Sequence, residues 1–230
     1  MVKQGVLPFR YECEATASGM TALGGLPAYL ELAVVSGLTD SIQRHVKVCA
    51  LQEQGWTDIQ VVMSLVLLNI AGGDCVDDLR ILEKDEGLAQ ILGRVGFCGH
   101  PRQERREQER RWRKERKRAV PSPSVVFRYL GAFVNPAEEA RRGMGQAFIP
   151  QANEHLQALG QVNPDLLSFA QKRSPQIAAT LDMDASIVET YKQEALFSYQ
   201  GSQSFQPLSV RWAELDMVAY SEFRDGNVPA

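Results

Sequence analysis

From Thr21 onward, apolar residues recur two to four positions apart at Leu23, Leu26, Leu30, Leu32, Val35 and Leu38. That spacing predicts a helix, broken near its start by Gly24-Gly25 and Pro27 and ended by Gly37. A second helix is expected from Thr57. Its hydroxyl can cap the first turn, Gln60 stands at the reciprocal capping-box position, and Gly72-Gly73 stop the run. This segment is apolar on nearly every side, which suits the buried centre of a helical domain. Asp74 is read as the cap of a third helix through DCVDDLRILEKD, and Asp85 as the opener of a short fourth ending near Gly96. Residues 1–20 read as extended or irregular.

Farther along, Pro121 and Pro123 break the preceding pattern, and Ser122 or Ser124 can cap a new helix. Val126, Phe127 and Leu130 are expected to pack inward, leaving Ser124 and Arg128 outside. Residues 135–152, with Pro136, Gly143, Gly145 and Pro150, read as a linker. A helix from Asn153 to Lys172 is expected to bend at Asn163-Pro164. The period then changes to two. In Ile177 to Thr190, Ile177, Ala179, Leu181, Met183 and Ile187 share one face, and Ala178, Thr180, Asp182, Asp184 and Ser186 the other. LSVRWAE (208–214) and MVAYSEF (217–223) predict a hairpin turning at Leu215-Asp216. The class is therefore α+β: a helical region over 1–134, a linker, and a strand-bearing domain over 153–230.

Composition changes this picture in one place. The chain has 230 residues, 44% apolar and 23% charged, and a net charge of −3, as an ordinary globular protein does. Residues 101–120, however, carry ten Lys/Arg and four Glu, a net of +6, leaving −9 on the rest. As a helix over 102–118, Arg102, Arg105, Arg106, Arg110, Arg113, Arg116 and Lys117 fall within an arc of roughly 140°. Two readings stand: a solvated, salt-bridged helix, or an arginine face that follows phosphates. The serine-capped helix behind it makes 121–133 helix-turn-helix-like, with Ser124 and Arg128 outward. Cys13, Cys49, Cys75 and Cys98 show no CxxC spacing, so neither a disulfide framework nor zinc is favoured; Cys98-Gly-His100 is a weak metal candidate. The longest apolar run, Ile59 to Ala71, is too short to span a bilayer. With no signal peptide at the start, a soluble cytoplasmic chain is expected, without a membrane partner.

The candidate chemistry lies on the period-two strand. Alternate residues of a strand sit roughly 7 Å apart on one face, so Asp182 and Asp184 can serve one cationic site. Two carboxylates from one rigid strand suit Mg²⁺ or Mn²⁺; the plainer alternative is a solvent-facing strand end that begins a turn. Asp74, Asp77 and Asp78 also cluster, but acids in a first helical turn ordinarily complement the helix dipole.

GLPAYLELA, GWTDIQVVMSLVLLNIAGGDCVDDLRIL, RRWRKERKRAVPSPSVVFRYL, TLDMDASIVET, FQPLSVRWAE and SEFRDGNVPA follow one another along nearly the whole chain, GGDCVDDLR and LDMDASIVET being the most specific in order and spacing. Together they resemble the amino-terminal part of a bacterial insertion-sequence transposase of the DDE type. The resemblance implies a DNA-binding helical region followed by the first three strands of a ribonuclease-H-like catalytic domain, truncated. It implies Asp184 as the first catalytic acid and metal ligand, with Asp182 its strand partner. It further implies a Mg²⁺ or Mn²⁺ cofactor, phosphodiester transfer at the terminal inverted repeats of the element, and room for a homodimer. The second Asp and the Glu of the triad are not placed; Asp225 and Glu222 are poor candidates. Gln200 and Gln203 stand where the family pattern leads one to expect Lys near Gly201, which suggests weakened DNA contact. The expectation is a fragment that holds DNA without cutting it.

Two alternatives remain. LDMDASIV comes close to the hhhDxDx[TV] strand of haloacid-dehalogenase-type phosphohydrolases, although the 46 residues after Asp184 are few for that fold's remaining motifs. The other alternative is a DNA-binding regulator without chemistry.

Overall fold

The computed structural model describes residues 3–4, 6–7, 10–11, 21–49, 55–95, 106, 118–143 and 145–228. The chain is α+β and divides into two compact units, Met1–Ala132 and Phe133–Ala230.

In the first unit a short antiparallel pair, β1 (Lys3–Gln4) and β2 (Arg10–Tyr11), precedes, among the described residues up to Val95, a group of five helices. They are α1 (Leu26–Val35), α2 (Leu38–His45), α3 (Asp58–Ile70), α4 (Leu79–Lys84) and α5 (Glu86–Val95). The pattern expected to make one helix up to Gly37 instead makes α1, and α2 follows it. Gly37 sits between them at φ 77°, a left-handed conformation that side chains disfavour, and so lets the chain turn. Helix α3 begins as its sequence signal says: Gln60 N donates to Thr57 Oγ1 at 3.2 Å, and Thr57 N to Gln60 Oε1 at 3.0 Å. It packs against α1, α2 and α4. The core is aliphatic, with Ile42, Val61, Leu67, Leu79, Leu82 and Leu88 all fully buried.

The third helix is capped differently from expectation. Asp78, not Asp74, carries the capping carboxylate: its Oδ2 accepts from Asp74 N and Cys75 N, each at 3.1 Å. A 3₁₀ turn, Val76–Asp78, therefore comes before α4. Asp85 does open α5, accepting from Leu88 N at 2.9 Å, and it also binds Thr21 Oγ1 at 2.6 Å.

The last helix of this unit, α6 (Pro123–Gly131), starts at Ser122, whose Oγ accepts from Val125 N at 3.4 Å. Its inward face is Val126 and Tyr129; Phe127 is 57% exposed and Leu130 38%. The expected inward packing of Phe127 and Leu130 is thus corrected. The phase is set by Tyr129, whose hydroxyl donates to Asp58 at 3.0 Å and so can be buried.

In the second unit, α7 (Pro136–Glu139), α8 (Glu154–Gly160) and α9 (Val162–Arg173) come before six strands. The break between α8 and α9 falls at Gln161, ahead of the expected Asn163-Pro164 bend. Pro164 then lies in the first turn of α9, where its missing N–H costs nothing. Residues 135–152, expected as a linker, are fastened to the rest of the unit. Asn227 Nδ2 donates to Gly145 O at 3.3 Å and Arg142 pairs with Asp225, while Asn135 Nδ2 ties the segment's own ends together by donating to Gln151 O at 3.3 Å.

The strands form two antiparallel three-stranded sheets. One has the order β3 (Leu181–Ala185), β7 (Leu208–Trp212), β8 (Met217–Glu222); the other β4 (Val188–Glu189), β6 (Gln203–Phe205), β5 (Leu196–Phe197). The β7–β8 hairpin turns where expected, with Asp216 at φ 53°. The acidic strand is shorter than the period-two pattern predicts. It begins at Leu181, Ile177 lies fully exposed, and after Ala185 the chain crosses into the second sheet.

Candidate functional site

Strand β3 pairs with β7 in a register that sets Asp182 opposite Arg211 and Asp184 opposite Ser209. Directly opposed residues share a sheet face. Asp182, Asp184, Ser209 and Arg211 therefore stand on one side, and Leu181, Met183, Val210 and Trp212 on the other. Across β7–β8, Ser209 faces Ser221 and Arg211 faces Val218, with a bulge between Val210 and Arg211. Both aspartates are exposed. Neither carboxylate accepts a hydrogen bond from the described residues. The pair thus projects together, as the alternation predicts.

β3 is, however, an edge strand of this sheet rather than a central one. Its apolar face is also open: Leu181 is 57% exposed and Met183 69%.

Two further charges bound the acidic face. Arg211 donates to Asp216 Oδ1 in the hairpin turn, from Nε at 2.9 Å and Nη2 at 2.5 Å. Those hydrogen bonds first, and the Asp182 charge last, raise the guanidinium pKa above its ordinary value. Glu214 binds Thr180, accepting from its N at 2.8 Å and its Oγ1 at 2.6 Å, and these bonds hold its carboxyl below the usual range. Glu214 is thereby engaged at the strand's start rather than free beside the aspartates. Among the described residues, no group of three or more His, Cys, Asp or Glu is placed to hold a metal ion. What remains is a pair of exposed carboxylates, hard-oxygen donors of the kind a divalent cation such as Mg²⁺ would take.

The residues read as DNA contacts divide between the described and the undescribed. Ser124 and Arg128 lie exposed one turn apart on α6, with exposed Phe127 between them. The Ser124 hydroxyl is 3.1 Å from that of Ser122. Arg106 is exposed. Arg102, Arg105, Arg110, Arg113, Arg116 and Lys117 lie outside the described residues, as do Cys13, Cys98 and His100. Arg118, at the end of the basic run, turns back on the helical unit: its Nε donates to Val120 O at 3.3 Å and lies 3.9 Å from Glu83.

Helix α6 is held by an acid that the sequence reading passed over. Asp58 receives Tyr129 Oη, Val48 N at 3.2 Å and Cys49 N at 3.2 Å. Burial, and then the Asp58 charge, push the Tyr129 hydroxyl up; the same two causes push the Cys49 thiol up to about 11. That upward shift disfavours the thiolate, the nucleophilic form of cysteine.

The other overlooked constellation surrounds Asp225, which is 1% exposed. Arg142 spans Asp225 and Glu139, and its guanidinium lies 5.0 Å from the centre of the Phe148 ring. Asp225 bridges to Phe205, and Gln206 N donates to Arg224 O at 2.9 Å. At Gly226 an added Cβ would meet Ser204 O at 2.3 Å and Leu196 O at 2.6 Å, so only glycine fits against β5 and β6. Asp225 is a structural acid, enclosed and paired. Nothing local in the sequence announces a partnership 83 residues long.

No protein family, curated protein or solved structure matches the chain.

Proposed function

We propose that the chain is part of a DDE-type transposase: a DNA-holding helical unit joined to a unit that carries the first catalytic acid of a ribonuclease-H-like domain. The observation that carries this reading is the shared exposed face of Asp182 and Asp184 on the edge strand of an antiparallel three-stranded sheet. Asp184 is the acid that binds the metal and Asp182 supports it from two residues away. Mg²⁺ or Mn²⁺, when bound, supplies activation of the attacking water or 3′-hydroxyl and stabilisation of the leaving oxygen. Ser124 and Arg128, with the arginine arc of 102–117, hold the phosphates of the terminal inverted repeats. With no third acid gathered beside the pair among the described residues, this chain alone is expected to bind DNA without cleaving it.

The antiparallel pairing of β3 weighs against the phosphohydrolase alternative, because doubly wound α/β folds are built on parallel strands. The decisive test is Mn²⁺ titration of the full chain, read by electron paramagnetic resonance. Binding that disappears in Asp184→Asn supports the reading, and binding indifferent to Asp182→Asn/Asp184→Asn refutes it. The DNA half is tested by retention on duplex DNA. A phosphate-following surface making six or more contacts loses about a thousandfold in affinity between about 0.05 and 0.2 M salt. Equal retention at both would return the basic segment to a solvated face.

A further inference from the structure

The acidic face contains a cation that a pair of metal-binding carboxylates does not need. Arg211 stands directly opposite Asp182. The ladder bonds from Ala213 N to Thr180 O and from Ser186 N to Pro207 O put the even-numbered residues of β3 at hydrogen-bonded positions. Opposed Cα atoms there lie about 5.5 Å apart. A guanidinium on the same face at that spacing repels a divalent ion at Asp182 and Asp184. An unaccompanied metal would therefore bind this face less tightly than the two carboxylates alone allow.

The same guanidinium is also the group on this face suited to a phosphate. Its planar fork matches two phosphate oxygens. Around it Ser209, Ser221 and Val218 are small and leave it uncrowded. At the irregularity beside it, Ala219 of β8 has no opposite residue on β7. Its present partner, Asp216, has a side chain 80% exposed, and that of Arg211 is 49% exposed. So open an ion pair contributes little and exchanges readily for a stronger anion.

We propose that Arg211 is a phosphate-positioning residue that couples divalent-metal binding at Asp182 and Asp184 to the arrival of a DNA phosphodiester. Without DNA, Arg211 rests on Asp216 and its charge opposes the metal. With DNA, the phosphodiester lies between guanidinium and metal, so charges alternate along the face and each cation favours the other's ligand. The consequence is reciprocal: metal tightens phosphate binding by the factor by which phosphate tightens metal binding. The inference rests on the metal reading of the two aspartates and adds the partner that makes the site conditional.

The test is Mn²⁺ titration of the full chain, alone and with a saturating short duplex oligonucleotide. In the wild-type protein the duplex should tighten Mn²⁺ binding about tenfold. In Arg211→Gln, Mn²⁺ alone should bind a few-fold tighter and the effect of duplex should vanish. Arg211→Lys should retain part of the coupling, because it keeps the charge and loses the fork. Asp216→Asn frees the guanidinium and should leave the coupling intact. A merely structural Arg211–Asp216 bridge makes the opposite prediction, with Arg211→Gln and Asp216→Asn behaving alike. Coupling unchanged in Arg211→Gln, with Mn²⁺ binding still lost in Asp184→Asn, overturns this inference and spares the metal site. Mn²⁺ binding indifferent to Asp184→Asn in both wild-type and Arg211→Gln backgrounds overturns the metal site and the inference together.

Discussion

The two units are held by different forces. The helical unit encloses Ile42, Val61, Leu67, Leu79, Leu82, Leu88, Val120 and Val126, all with essentially no exposed surface. Among the described residues of the second unit the buried apolar side chains are Val162, Ala195, Val210 and Val228, and Ser198, Ser204, Gln206 and Asp225 are buried as well. Apolar burial, worth about 25 cal/mol per Å², dominates the first. Sheet ladders and a polar lock dominate the second, whose β3 is open on both faces. The contrast matches the chemistry proposed for each. In that proposal a packed scaffold would present one helix face to DNA, and a strand that holds a metal would keep its acids in solvent.

Substitutions should separate the two. The largest expected effect is Leu82→Ala, which opens a cavity in the aliphatic core and should cost about 2–5 kcal/mol. Amide exchange should accelerate in α3 and α4 while β6 keeps its protection. Arg142→Ala should do the reverse. It leaves the enclosed Asp225 carboxylate without its cation, a change that costs about 3 kcal/mol where a buried pair is broken; exchange should rise in β5 and β6. Gly226→Ala should follow at about 1–3 kcal/mol, because the new methyl meets backbone oxygens rather than a movable side chain. Tyr129→Phe should lower stability by about 1 kcal/mol through the lost bond to Asp58. It should also weaken DNA retention if α6 must be held in its observed phase.

The smallest effect is one of pH. Burial alone would raise Asp85, but bonds from Leu88 N, Thr21 Oγ1 and Ala22 N outweigh it and hold the carboxyl below its ordinary value. A depressed folded-state pKa stabilises fully above the unfolded value of about 4 and is lost as pH falls through the depressed one. In acid denaturation followed by circular dichroism, Asp85→Asn should be less stable than wild type near neutrality and converge with it in strong acid.

What could be read in the sequence was what local chemistry decides. Thr57 with Gln60, Asp85, Ser122 and the 208–223 hairpin each act within a few residues, and each signal has its expected partner. The alternation that brings Asp182 and Asp184 to one face is equally local. The phase of α6 was not legible. Phe127 is the more hydrophobic choice for the interior, but Tyr129 goes in because Asp58, 71 residues away, accepts its hydroxyl. The attachment of 135–152 was hidden for the same reason: its turn-forming composition is real, while Arg142 and Asn227 make the bonds at long range. Asp78 displaced Asp74 as a cap because a 3₁₀ turn brings its carboxylate back onto two amides.

The position of β3 at the rim of its sheet has a consequence for solubility. Among the described residues one side of that strand pairs with nothing, and such a side invites a second molecule to add a strand. An antiparallel copy centred on Met183 would set Asp182 against Asp184 twice over. Like charges so opposed are repulsive. The carboxylates proposed to hold a metal thus also guard the chain against zipping onto itself.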